Sequence, residues 1–321
     1  MESRLRTLAT HLRLGTDARA LRGYGGPAGN ATVIHAREPG ASYGPCEVRS
    51  FRTDEVGSSA CWSFFQTYGF AVIADALDAK ELMFLNEWYD RSQRSHAEAW
   101  GCDRGPQREW LYHQPLLDFP ELDPFVRHPS HYGMVAELLG GQLQTRFSEF
   151  DFRDTPAGTG GAVSPDNNGV FTETVRSQWH ADNGFGGASS PEAVANRDRD
   201  SHDYICAMHY LSDVSPRSPA FGVIPYSHRF VPQQHGASGK SVPLTVQLAA
   251  HLGEGYAEIP LYGAAGTCII YDISLFHSRI DATEEPCCNR RALQTFLLPQ
   301  MILLGTDRSC IGFLHSYDFV C

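Results

Sequence analysis

The apolar residues of the chain change their spacing once, near residue 142. Ahead of that point they recur at helical intervals. In DALDAKELMFLNEWYDRSQRSHAEAW, Leu82, Leu85, Trp88 and Tyr89 fall on one helical face, with Asp78 as N-cap and Glu81 three residues on to close a capping box. SHYGMVAELLGG (130–141) predicts a second helix, capped by Ser130 and stopped by Gly140 and Gly141. Beyond residue 142 the runs are short: LQTRFSEFDF (143–152), YICAMHYL (204–211), FGVIP (221–225), TCIIYDI (267–273) and RALQTFLL (291–298), with Gly, Pro, Asp and Ser between them. One strand precedes the helices, at the end of FFQTYGFAVI (64–73). Helices followed by many short strands predict a mainly β fold, an antiparallel sandwich or barrel such as a jelly roll with N-terminal helices at its flank. Residues 1–55, with GYGGPAGN and EPGASYGP, read as a tail and linker, and residues 56–321 as one domain.

Charge and cysteine usage narrow the setting. The 26 basic residues face 37 acidic ones, a net charge of −11 at pH 7. Phosphate backbones need a basic face, so nucleic acid is not expected as a partner. No apolar run approaches the roughly 20 residues of a membrane helix. The nine cysteines form no CxxC pair, and only Cys287 and Cys288 are adjacent. They read as reduced thiols of an intracellular protein, not as a disulfide frame or a structural zinc site. The opening MESRLRTLATHL is similar to the N-terminal peroxisomal targeting nonapeptide, with Arg4-Leu5, five residues, then His11-Leu12. Leu5, Leu8 and Leu12 share one helical face. Such a pattern is a receptor-read address, leaving the cytoplasm or the peroxisome as compartment and a peroxisomal import receptor among the partners.

The candidate chemistry starts from SQWHADNGFG (177–186). Two His-x-Asp/Glu triplets occur, about the number chance alone supplies at this composition. His96-Ala97-Glu98 ends a helix, where residues two apart point to different faces. His180 and Asp182 end a strand read in TVRSQWH, where residues two apart share a face; Gln178 lies on their side, Trp179 and Ala181 on the other. That spacing places an imidazole nitrogen and a carboxylate oxygen on one cation. His277 follows the strand of TCIIYDISLF. Two histidines and a carboxylate make the facial triad of non-haem Fe(II) oxygenases, which leaves coordination positions open for a cosubstrate and O2. Arg290, at the start of the next strand, offers a fork for two parallel hydrogen bonds to a carboxylate. 2-Oxoglutarate meets both demands, its 2-oxo acid end at iron and its far carboxylate at Arg290. His113, His202, His209 and His228 read as structural histidines.

From about Ser63 to Leu298 the chain resembles the phytanoyl-CoA dioxygenase family of Fe(II)/2-oxoglutarate oxygenases. Four stretches carry the resemblance in order: FFQTYGFAVIADAL, the WHAD triplet, YICAMHYLSDV with FGVIPYSHR, and FHSRIDATEEPCCNRRALQTFL. The resemblance implies a double-stranded β-helix, a cupin-like jelly roll with the metal in its mouth. It assigns His180, Asp182 and His277 to iron and Arg290 to the cosubstrate carboxylate, with Gln178, Met208 and Arg279 near the cosubstrate. Arg291 is the neighbour that could exchange roles with Arg290, but alternation lets only one of them face inward. Asp182 stands where halogenating relatives carry alanine, which favours an oxygenase outcome. Two positions depart from the family pattern: Arg279 replaces a small hydroxyl residue, and Tyr226 replaces the glycine of a Pro-Gly-Ser-His turn. The implied reaction oxidises, most simply hydroxylates, an aliphatic C–H of a small metabolite and releases succinate and CO2. A peroxisomal acyl-CoA 2-hydroxylase is the alternative that the N-terminal pattern favours. A catalytically silent jelly-roll binding protein is the alternative from another class; a cupin-type lyase or isomerase would have no use for Arg290.

Overall fold

An eight-stranded and a three-stranded sheet share one apolar layer. The computed structural model describes residues 34–35, 47–102, 110–112, 115–139, 143–157, 179, 181, 202, 205–230, 244–253 and 256–299. The strands are β1 (Ile34–His35), β2 (Glu47–Val48), β3 (Ser50–Arg52), β4 (Phe70–Ala74), β5 (Trp100–Cys102), β6 (Trp110–Tyr112), β7 (Leu143–Thr155), β8 (Ile205–Tyr210), β9 (Ala220–Val223), β10 (Ile259–Leu261), β11 (Cys268–Asp272), β12 (His277–Ile280) and β13 (Arg290–Pro299). The major sheet runs β3-β4-β11-β8-β13-β7-β6-β5 and the minor sheet β10-β9-β12, while β1 pairs with β2. Among the described residues every ladder is antiparallel except β3 on β4. The helices are α1 (Ser59–Tyr68), α2 (Ala79–Ser95), α3 (Pro115–Asp118), α4 (Asp123–Val126), α5 (Tyr132–Leu138) and α6 (Leu244–Leu252). The jelly-roll expectation agrees with this arrangement.

Strand alternation sorts the core into layers. Phe70, Val72, Cys206, Met208, Tyr210, Ile269, Tyr271, Ala292 and Phe296 of the major sheet meet Phe221, Val223, Ile259 and Leu261 of the minor sheet. The alternate residues of the same strands, Ala71, Ile73, Ile205, Ala207, Cys268 and Ile270, pack outward with Met134, Val135 and Leu138 of α5. Further along that outer face, Leu85, Trp88 and Tyr89 of α2 pack with Phe150, Phe152 and Leu293. Strands buried on both faces read as continuous apolar runs, which is why ICAM and CIIY lack a clean polar beat.

The helix starts follow local chemistry. Asp78 accepts from Lys80 N (2.7 Å) and Glu81 N (2.9 Å), and Glu81 Oε2 accepts from Asp78 N (2.8 Å), the capping box expected there. The second expected helix begins later than its cap suggests: α5 starts at Tyr132, and Ser130 caps nothing. Its hydroxyl lies instead between two histidine rings, of His128 and His209. The sheet also begins upstream of residue 56. Val48 and Phe51 are buried, and β3 pairs with β4. A three-residue strand has too few positions to show a period.

Gly69 ends α1 at φ 83°, the left-handed region that glycine enters without steric cost. A Cβ there would stand 2.6 Å from Nδ1 of the buried His228 ring. Gly69→Ala therefore combines left-handed strain with overpacking, and is expected to cost about 3 kcal/mol of unfolding free energy in a urea titration. His228 itself gives a pH dependence. Burial holds its pKa down to about 4 against an ordinary 6.5. The unfolded chain takes up the proton first, so stability is full above pH 6.5 and falls as pH drops toward 4. The loss attributable to this ring is about 3 kcal/mol. Urea midpoints measured across that window should decline, and His228→Gln should flatten part of the slope.

Candidate active site

The layer between the sheets is apolar apart from a few groups that alternation turns inward. On β13, Arg290, Ala292, Gln294 and Phe296 share one side, and Ala292 and Phe296 belong to the layer between the sheets. Arg291 faces the helices: its guanidinium lies 4.3 Å from the Tyr89 ring centroid and pairs with Asp90 at 2.8 Å. Of the two adjacent arginines, Arg290 is the inward one. On β7 the same alternation sends Phe150 and Phe152 to the helix side, and sets Asp151, Arg153 and Thr155 opposite Gln294, Ala292 and Arg290.

His277 opens β12 and is 5% exposed. Its Nδ1 lies 2.8 Å from the Leu275 carbonyl oxygen, which can only accept, so the proton is on Nδ1 and the lone pair on Nε2. A backbone carbonyl that fixes one ring nitrogen in this way is the usual support of a metal-binding imidazole. The rings of Phe221 and Tyr271 flank it at 5.3 and 5.2 Å between centroids.

Arg290 is 3% exposed. Its Nη2 donates to Thr155 Oγ1 at 3.0 Å. Tyr210 is its second neighbour; burial pushes that phenol up to about 12, with Arg290 drawing it back down. The Tyr210 hydroxyl donates to the Leu261 carbonyl at 2.8 Å and accepts from Phe221 N at 3.4 Å. Phe221 thus touches His277 with its ring and Tyr210 with its backbone, so His277 and Arg290 are joined through two residues of one layer. Gln294 Nε2 donates to Tyr271 Oη at 3.3 Å, closing the other side.

Met208 is buried on β8 in the same layer, opposite Gln294 and Ile269. Arg279 of β12 pairs with Asp281 at 2.9 Å and donates from Nη2 to the Pro156 carbonyl at 3.1 Å. His180, Asp182 and Gln178 lie outside the described residues. The flanking Trp179 and Ala181 are described, and both pack with Ile224, Phe230, Phe276 and Ile280 in a cluster away from the central layer. Thr155, Tyr210, Tyr271 and Gln294 were not singled out from the sequence. Carrying the period of two back from Arg290 and forward to Gln294 would have found the latter, but Thr155 and Tyr210 arrive only through register. His202, expected to be structural, hydrogen-bonds Asp272.

Among the described residues, one group of three imidazole, thiol or carboxylate side chains could hold an ion: His128, His131 and His209. It does not include His277, and His209 lies on the opposite face of β8 from Met208 and Tyr210.

Residues 162–278 match the family model described as Phytanoyl-CoA dioxygenase (PhyH). No curated protein sequence matches the chain. Among solved structures, the non-heme alpha ketoglutarate dependent carbocyclase SnoK from nogalamycin biosynthesis superposes with a TM-score of 0.52 at 16% identity, over 75% of this chain and 84% of that one. The epimerase SnoN, solved in complex with Fe3+, alpha ketoglutarate and nogalamycin RO, gives 0.50 at 15%, over 75% and 82%. AviO1 from Streptomyces viridochromogenes gives 0.50 at 12%, over 77% and 96%. At such identities the likeness is one of fold. No helix among the described residues is long and apolar enough to cross a membrane.

Proposed function

We propose that this chain, whose residues 162–278 match the phytanoyl-CoA dioxygenase model, is an Fe(II)/2-oxoglutarate-dependent oxygenase of that family and hydroxylates an aliphatic C–H of a small metabolite. The observation that carries this reading is the shared layer of His277, with its lone pair directed to Nε2, and Arg290, a buried fork suited to a carboxylate. In this reading His180, Asp182 and His277 hold the iron, and Arg290 holds the far carboxylate of 2-oxoglutarate. Iron held by these residues would supply the oxidising chemistry, with O2 and 2-oxoglutarate consumed and succinate and CO2 released.

The chain's own residues do the rest. The Leu275 carbonyl keeps the His277 ring in one tautomer and orientation. Thr155 and Tyr210 hold the Arg290 fork in place, so the cosubstrate meets a preorganised donor pair. Met208, Phe221, Ile269 and Phe296 keep the layer dry, which strengthens the charge interaction. Arg279, tied to Asp281 and Pro156, shapes the rim of this layer and leaves the far carboxylate to Arg290.

The carbocyclase and epimerase names of SnoK and SnoN show that one fold serves several outcomes, so products should be analysed without presuming a hydroxyl. The acyl-CoA reading rests on the Arg4-Leu5 and His11-Leu12 pattern, outside the described residues; a tagged chain that stays cytosolic when expressed in cells would remove that support.

The test is anaerobic. Fe(II) and then 2-oxoglutarate are added, and the weak visible charge-transfer band of a 2-oxo acid on Fe(II) is recorded. The band is expected in the native protein and absent from His180→Ala and Asp182→Ala. Iron-loaded native protein without the band would leave the silent binding-protein reading in its place.

A further inference from the structure

A second cluster of metal-binding groups sits behind the major sheet. His128 and His131 lie on the connection between α4 and α5, and His209 lies on β8 with its side chain on the α5 side of the sheet. All three are buried, at 6%, 0% and 0% exposure. One ring nitrogen from each lies within 4.8 Å of the others.

The hydrogen bonds fix where the lone pairs are. His128 Nε2 lies 3.0 Å from Glu81 Oε1, and an ionised carboxylate only accepts, so Nε2 carries the proton. His128 Nδ1 is then an acceptor, consistent with the Ser130 backbone N–H donating to it at 3.3 Å. The Ser130 hydroxyl, 2.8 Å away, donates its single proton there as well, a bond that an ion on His128 Nδ1 would displace. Ser130 Oγ must accept from His209 Nε2 at 2.9 Å, which leaves the His209 lone pair on Nδ1. His131 Nε2 donates to the Val126 carbonyl at 3.2 Å, leaving its lone pair on Nδ1 too. Nδ1 of His131 and Nδ1 of His209 are both buried and have no hydrogen-bond partner. Buried lone pairs left so are costly unless something electron-poor lies between them.

We propose that His128, His131 and His209 bind a structural zinc(II) ion, separate from the iron of the active site. Three imidazoles suit zinc, and a water would complete its tetrahedron. Glu81 holding the far nitrogen of His128, and Val126 that of His131, supply the outer-shell support such ligands use. All three rings are buried, so the ion's task is to tie α2, the α4–α5 connection and β8 together. Glu81 is a positioning residue here: Oε2 caps α2 while Oε1 orients His128.

The experiment uses the full chain carrying His180→Ala and Asp182→Ala, which removes two proposed iron ligands, so the outcome does not depend on the oxygenase reading. After incubation with zinc and removal of excess, elemental analysis is expected to find one equivalent per chain. Adding His131→Gln should lose it, and adding Glu81→Gln should weaken zinc binding roughly 10- to 100-fold. Should His131→Gln fail to fold, zinc-edge X-ray absorption of the double variant decides, with imidazole scatterers expected at about 2.0–2.1 Å. Zinc well below one equivalent in the double variant, or a zinc shell without imidazole, overturns the proposal and assigns the space to a bridging water.

Discussion

His277→Ala is expected to lower 2-oxoglutarate turnover on the order of 1,000-fold, equivalent to about 4 kcal/mol of barrier. The Leu275 carbonyl accepts from Nδ1, and the ring lies between Phe221 and Tyr271 in a layer that is mainly apolar. Alanine removes the Nε2 donor and leaves a cavity, so two effects must be separated. The cavity costs stability, about 2 kcal/mol by analogy with other large-to-small changes, and shows in thermal unfolding. Loss of a metal ligand shows in iron content, in the 2-oxoglutarate charge-transfer band and in succinate release, all measured below the unfolding temperature. His277→Phe fills the space without the nitrogen and should restore stability but not the band. Turnover within tenfold of the native protein in either variant would remove His277 from the iron set.

What the sequence makes legible depends on how local the cause is. The capping box of Asp78 and Glu81 is a three-residue arrangement and is read without ambiguity. Strands β4, β7, β8, β9, β11 and β13 appear as apolar or alternating runs because each spans at least four positions. β5, β6 and β10 have three residues each, and their pairing partners make them strands. Ser130 shows the limit from the other side. Its position ahead of an apolar helical run reads as a cap, yet two histidines, one of them 79 residues away, hold its hydroxyl. The site divides in the same way. His277 and Arg290 follow from residue type and order along the chain, and the inward choice of Arg290 over Arg291 follows from alternation. Thr155 meets Arg290 across 135 residues, through a register that no local pattern encodes.

Arg290→Lys is expected to raise KM for 2-oxoglutarate between about 10- and 100-fold while leaving kcat at saturation within about threefold. A guanidinium presents two parallel donors to a carboxylate, and an ammonium presents a point charge. Losing one hydrogen bond to a charged group costs about 1.5–3 kcal/mol, the range that gives this change in KM. The split between KM and kcat follows because the far carboxylate is held equally in the ground and transition states. A purely structural role for Arg290 makes a different forecast: Lys would lower the unfolding temperature, through the lost bond to Thr155, and leave KM alone. Thr155→Val tests the support separately. It keeps shape and removes the hydroxyl that Nη2 donates to, so the fork loses one anchor while Tyr210 remains. A rise in KM smaller than that of Arg290→Lys, with no change in iron binding, is the outcome expected of a residue that acts through Arg290 and not on the cosubstrate itself.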